Sequence, residues 1–148
     1  MEPDGPKVEE PLVRAPAGRR LLLWAPVAAM MALQVELSSR SHLPPLPLLP
    51  SIPGSDKLAH AVWFFLLGLL AWRAARHGEG WPRRRTTLLL VLGALLWGIS
   101  DEAHQSFVPG RDVEAADVAA DVAGAAVAAA VAEPLLRRLR LVAGLPRP

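Results

Sequence analysis

Four apolar runs divide the chain, and each carries its polar residues at one end. The first covers about residues 21–37 and is interrupted late, by Gln34 and Glu36. Residues 38–54 follow, with prolines at 44, 45, 47, 50 and 53. Proline at that density forbids a helix and favours an extended connection. Ser55 or Asp56 is then predicted to cap a second helix over about residues 56–76, with an apolar body from Leu58 to Trp72. Residues 77–85 read as a short basic turn. A third helix is predicted over about residues 86–107, ended by Val108-Pro109-Gly110. The fourth, rich in Ala and Val, is predicted over about residues 114–132. Pro134 marks its end, followed by a further amphipathic turn through Leu141. Residues 1–18 are polar and bear Pro and Gly, as in a disordered tail.

A bilayer core of about 30 Å needs about 20 helical residues. Each run reaches that length only with its polar end included. If the helices alternate in direction, all the polar ends fall on one side. Basic residues then sort the two sides. One side collects Lys7, Arg14, Arg19, Arg20, Arg73, Arg76, Arg83, Arg84, Arg85, Arg137, Arg138, Arg140 and Arg147. The other holds only Arg40, Lys57 and Arg111. Positive charge marks the cytoplasmic face. The expected fold is therefore all-α, an integral membrane bundle of four transmembrane helices with both termini cytoplasmic. Residues 1–18 would be a cytoplasmic tail, 19–134 the membrane domain and 135–148 a basic cytoplasmic tail. The first run has the basic flank of a signal peptide but no clear small-residue cleavage site, and it reads as a retained helix.

Composition agrees. The 148 residues are 52% hydrophobic and only 20% charged, with a mean hydropathy of +0.28. A soluble domain carries about 25% charged residues. Cysteine is absent, which excludes disulfides, thiolate metal sites and Cys nucleophiles. No nucleic-acid motif appears, and the arginines gather at the ends of apolar runs.

The candidate chemistry lies at the polar ends. Asp101, His104 and Gln105 sit at i, i+3 and i+4 on one helical face, with Glu102 beside them. Asp117 and Asp121 are i, i+4 neighbours, and Gly124 and Ala128 continue their stripe with small residues that admit a close neighbour. Asp56 and His60 are also i, i+4, with Lys57 adjacent, and Arg111 sits between the third and fourth helices. Lipid exposure of such groups is costly, so they are expected to converge. Arg111 is expected to be an anion contact, with Asp101 as its electrostatic partner, and Asp117 and Asp121 are expected to be ion-pair or hydrogen-bond partners of Arg111 and His60. Asp56 reads as a helix cap and Lys57 as snorkelling to the interface.

Three of these motifs together carry a resemblance. They are Asp56-Lys57-Leu58-Ala59-His60, the stretch from Asp101-Glu102-Ala103-His104-Gln105 to Pro109-Gly110-Arg111, and Asp117…Asp121…Gly124. In this order, over about residues 35–130, the chain resembles the VanZ-like family of bacterial membrane proteins. The Ser38-Ser39 and proline-rich stretch is similar too. Asp121 stands where the family often has Asn or Ala. The resemblance implies a multi-pass protein of the cell envelope, linked through the family's namesake to glycopeptide (teicoplanin) resistance.

Two readings of Lys57, His60, Asp101, Glu102, His104, Gln105, Arg111, Asp117 and Asp121 remain open from the sequence. One is a buried polar network that fixes helix register. The other is an outward pocket for an envelope lipid, a lipid-linked cell-wall precursor or a glycopeptide, with Lys57 and Arg111 on phosphate. A membrane-embedded hydrolase or transferase acting on a lipid-linked phosphate is the enzymatic alternative. His104 with Asp101 could serve as its base, but no nucleophile is evident. A divalent metal at His60, Asp101, His104, Asp117 and Asp121 fits by ligand type, but no tight ligand spacing supports it. A binding role without a cofactor is therefore expected, with membrane lipids as partners and an oligomer compatible with the pattern.

Overall fold

The helices are longer than the apolar runs that seed them, because each takes in polar residues at its ends. A computed structural model describes residues 13–41 and 54–139. Among them are four α-helices and no strand: α1 (Ala17–Ser38), α2 (Ser55–His77), α3 (Arg83–Gln105) and α4 (Ala115–Arg138). At 1.5 Å per residue, 22 to 24 residues span about 33–36 Å, enough for a bilayer core. All four are apolar enough to cross a membrane.

Burial is arranged as a bilayer demands. Large aliphatic residues, among them Leu22, Leu66, Leu88, Leu92, Leu96 and Val127, face outward. The interior holds small residues of α4, namely Ala125, Ala128, Ala129 and Ala132, packed against Phe64 and Trp72 of α2. Lipid tails are as apolar as leucine, so close packing of small residues holds such helices together. The α2–α4 pair is the axis of the bundle. A Cβ added at Gly124 would come 2.1 Å from the Ala61 carbonyl oxygen, and one at Gly68 would come 2.7 Å from Ala128 Cβ. The small-residue stripe read from Gly124 and Ala128 is thus the helix–helix seam.

Several boundaries differ from the sequence expectation. Pro134 lies inside α4, which continues to Arg138. Proline costs the helix one backbone bond, but Leu136 beyond it is buried against Trp72, Ala129 and Ala132, and that packing carries the helix onward. The start of the assumed C-terminal tail is therefore helical. Arg83, Arg84 and Arg85 are the first turn of α3, not part of a turn. Pro82 precedes them, where its missing N–H is harmless. Gly54, at φ 83°, precedes α2, and neither Ser55 nor Asp56 caps it through a side chain. Ala17 and Gly18 belong to α1, not to a tail. The rest of the assumed tails, residues 1–12 and 140–148, lies outside the described residues, as does most of the proline-rich connection.

The helices alternate in direction. Ala15 N–H donates to Gly78 O at 2.8 Å, bringing the start of α1 to the end of α2. Glu79 completes that corner. Its carboxylate accepts from Arg14 at 3.0 Å, Arg20 at 2.8 Å and Trp24 Nε1 at 3.1 Å. The arginines, Arg20 foremost, hold the Glu79 carboxyl below its usual range. The bundle consequently has a basic end, with the α1 and α3 starts, and a polar end, with the α2 and α4 starts.

Candidate functional site

At the polar end, the first two turns of α2 and the start of α4 bring a ladder of ionic contacts together. His60 Nδ1 lies 2.9 Å from Asp121 Oδ1, and His60 Nε2 lies 3.8 Å from Asp117 Oδ2. One turn earlier, Lys57 Nζ meets Glu114 Oε2 at 2.6 Å and Asp117 Oδ1 at 3.2 Å, and it also bonds Asp56. The i, i+3 and i, i+4 spacings dictate this ladder, since 57 and 60 share one face of α2 as 117 and 121 share one of α4. The seam at Gly124 sets the short helix separation that lets them touch.

The end of α3 forms the third wall. Asp101, Glu102 and Gln105 are buried there, and Asp121 is only 1% exposed. Gln105 Nε2 donates to Asp101 Oδ2 at 2.9 Å. Glu102 Oε2 accepts the N–H of Glu114 at 2.8 Å, so a carboxylate from α3 caps the start of α4, where the helix dipole favours negative charge. Gly98 of α3 leaves just enough room for Asp121, because a Cβ there would stand 2.7 Å from Asp121 Oδ2.

Several expectations change on this geometry. Asp101 is not paired with Arg111; its partner is Gln105. Arg111 makes no ion pair among the described residues, and its Nε is buried without a hydrogen bond. Lys57 does not snorkel free but is engaged by three carboxylates. His104 is exposed and stands apart from Asp117 and Asp121, reaching Ser39 Oγ at 2.9 Å through Nε2. Ser39 Oγ is also 2.6 Å from Val35 O. The hydroxyl thus lies between the Val35 carbonyl and the imidazole. Ser39 and His104 thus tie the end of α1 to the end of α3.

Of the metal set of His60, Asp101, His104, Asp117 and Asp121, only His60, Asp117 and Asp121 contact one another, while Asp101 bonds Gln105 and His104 bonds Ser39. The acids that come within 4.8 Å of one another are Asp56, Glu114 and Asp117. The Lys57 ammonium lies within ion-pair distance of all three and so holds the place a cation would take.

Sequence reasoning missed two groups. Gln34 is buried, and its Oε1 accepts from Trp63 Nε1 and Trp97 Nε1, each at 3.0 Å, joining α1, α2 and α3. At the basic end, Glu133 accepts from Trp72 Nε1 at 3.3 Å and pairs with Arg137 at 3.0 Å, with Arg76 Nε at 3.8 Å. The signal for both was present, an amide or acid on the buried face of an apolar helix beside inward-facing tryptophans.

Neither the curated proteins nor the solved structures offer a match to the chain. The VanZ/LLP1 family model, however, matches residues 14–137, from the Glu79 corner through all four helices to the far side of Pro134. This chain, with its acid-rich polar end built on a glycine seam, is a multi-pass membrane protein that belongs to the VanZ/LLP1 family.

Proposed function

We propose that the protein resides in the bacterial cytoplasmic membrane with its polar end outward, and that this end binds the headgroup of an envelope lipid or lipid-linked cell-wall precursor. The excess of arginine at the basic end supports that orientation by the positive-inside rule. The observation that carries the binding reading is Arg111. Its Nε is buried without a hydrogen bond, and it stands in the connection between two helix ends crowded with acids. Arg111 is half-buried, and a buried guanidinium N–H without an acceptor is costly unless an anion meets it. Lys57 is no second anion contact, because three carboxylates hold it. The surrounding carboxylates suit the hydroxyl and amide donors of a sugar–peptide headgroup.

The test is native mass spectrometry of the full chain in nanodiscs containing a lipid-linked cell-wall precursor. The wild type retains the precursor. Arg111→Gln loses about tenfold or more of that affinity, as expected for a hydrogen bond to a charged group, with the thermal midpoint unchanged. Equal retention by the two proteins would sink the reading.

A second reading has its own support. Lys57, His60, Glu102 and Gln105 all find partners inside the protein, as a register-fixing network requires. Under it, the precursor is not retained, and Asp101→Asn lowers stability alone.

A further inference from the structure

At the opposite end of the bundle, α1 and α3 barely meet. Between them, floored by α2, runs an apolar cleft of about 210 Å³. Trp24, Met31, Trp81, Leu89, Gly93 and Trp97 are among its walls. An apolar cavity of about 150 Å³ accepts a benzene-sized ligand, so this one accepts a longer stretch of hydrocarbon. Along α3 the cleft extends from Thr86 to Trp97, about 16 Å at 1.5 Å per residue. Leu89 and Gly93 are exposed, so the cleft opens sideways, to where lipid tails lie in a bilayer.

Charge at one mouth of the cleft is one-sided. The Arg85 guanidinium carbon sits 4.5 Å from the centroid of Trp81, a wall residue. Arg84 beside it is exposed and has no ion-pair partner among the described residues. The acids of this end are taken, Glu79 by Arg14 and Arg20, and Glu133 by Arg137. An apolar slot ending at unneutralised arginines matches a molecule with a hydrocarbon tail and an anionic head.

We propose that this cleft holds one acyl chain of an anionic phospholipid, whose phosphate meets Arg84 and Arg85. This lipid is distinct from the headgroup ligand of the polar end. Gly93 provides the decisive variant. Gly93 lines the cleft and nothing lies within 4 Å of a Cβ built there, so a large side chain has room to start at this wall and is expected to narrow the cleft.

The experiment places the full chain in nanodiscs of phosphatidylglycerol, phosphatidylcholine or their mixture, and reads retained lipid by native mass spectrometry. The wild type keeps one phosphatidylglycerol in preference to phosphatidylcholine. Arg84→Gln and Arg85→Gln each reduce that preference by about fivefold, the share of one arginine near a charged headgroup. Gly93→Phe loses retention of both lipids at an unchanged thermal midpoint. Undiminished phosphatidylglycerol in Gly93→Phe overturns the proposal, as does an absent preference in the wild type or a second copy of the chain in place of lipid. Arg84 and Arg85 lie on the surface, so the double variant Arg84→Gln/Arg85→Gln decides the question even where Gly93→Phe folds poorly. Arg111→Gln leaves this retention intact, so the two sites fail independently.

Discussion

His60 Nδ1 stands 2.9 Å from Asp121 Oδ1, and this contact joins the two helices that form the axis of the bundle. Asp121 is nearly inaccessible, so its carboxylate has no water to fall back on. Removing His60 orphans the buried Asp121 carboxylate, and removing Asp121 leaves the half-buried imidazole without that partner, at a cost of up to about 1–3 kcal/mol. Asp121→Ala and His60→Ala are each expected to destabilise by about that amount, and the double variant by less than their sum. Asp121→Asn keeps an acceptor for the imidazole and loses less. Thermal or denaturant unfolding in detergent measures all four. Additive single effects would show that the pair carries no coupling energy.

The seam beneath that pair is steric. Gly124→Ala puts a methyl group 2.1 Å from the Ala61 carbonyl, which the backbones of α2 and α4 must separate to admit. Overpacking costs about 1–3 kcal/mol, and here it also pulls His60 from Asp121. Gly93→Ala, with open space around it, is the matched control and is expected to be neutral. A loss of stability confined to Gly124→Ala, read in the same unfolding assay, identifies the close approach as the cause.

Gln34 predicts a different failure. Its single carbonyl serves two tryptophan N–H groups, one on α2 and one on α3. Gln34→Leu leaves both without an acceptor, at a cost of about 1–3 kcal/mol each. Because α1 touches the rest of the bundle less than α2 and α4 touch each other, the damage is expected to fall on the docking of α1. Hydrogen exchange should rise in α1 and stay unchanged in α4. A uniform rise would mean that α1 and the α2–α4 pair open as one unit.

Glu79 sets an acid limit at the basic end. Its pairing with Arg20 and Arg14 depresses its pKa from 4.5 in the folded state. A depressed carboxylate contributes fully above its unfolded value and loses that contribution as pH falls through the folded one. The corner between the start of α1 and the α2–α3 turn is therefore expected to hold at neutral pH and weaken below about pH 4.5. Glu79→Gln lacks this acid-dependent component. Thermal midpoints of wild type and variant, compared at neutral and acidic pH, should converge as pH falls.

The helices, their number and the polar ends were legible in the sequence, because 3.6-residue periodicity and about 20-residue runs are local properties. The Gly124–Ala128 seam was legible for the same reason, as an i, i+4 stripe. Partner choice was legible for His60, which meets Asp117 and Asp121 as their matching positions suggested, but not elsewhere. Arg111 beside Asp101 looks like an ion pair along the chain, yet Gln105, one turn on, reaches Asp101 first. Lys57 looks free until α4 brings Glu114 and Asp117 against it. Pro134 reads as a helix end because proline is a local breaker, and only the burial of Leu136 against Trp72 overrides it. Each miss depends on which helix lies alongside, a fact that sequence spacing does not contain.

Orientation is the premise on which an outward-facing site rests, and the chain is well suited to test it because it has no native cysteine. Asp112 is exposed in the α3–α4 connection, and Arg138 is exposed at the end of α4. These positions lie at opposite ends of a helix of 24 residues, so a membrane spanned by α4 must separate them. Asp112→Cys is expected to react with an impermeant maleimide in intact cells, and Arg138→Cys only after permeabilisation. The reverse pattern would place the acid-rich end in the cytoplasm and remove the outer-leaflet headgroup from consideration. The phospholipid cleft would survive, since it requires only a bilayer beside α1 and α3 and an anionic headgroup beside Arg84 and Arg85.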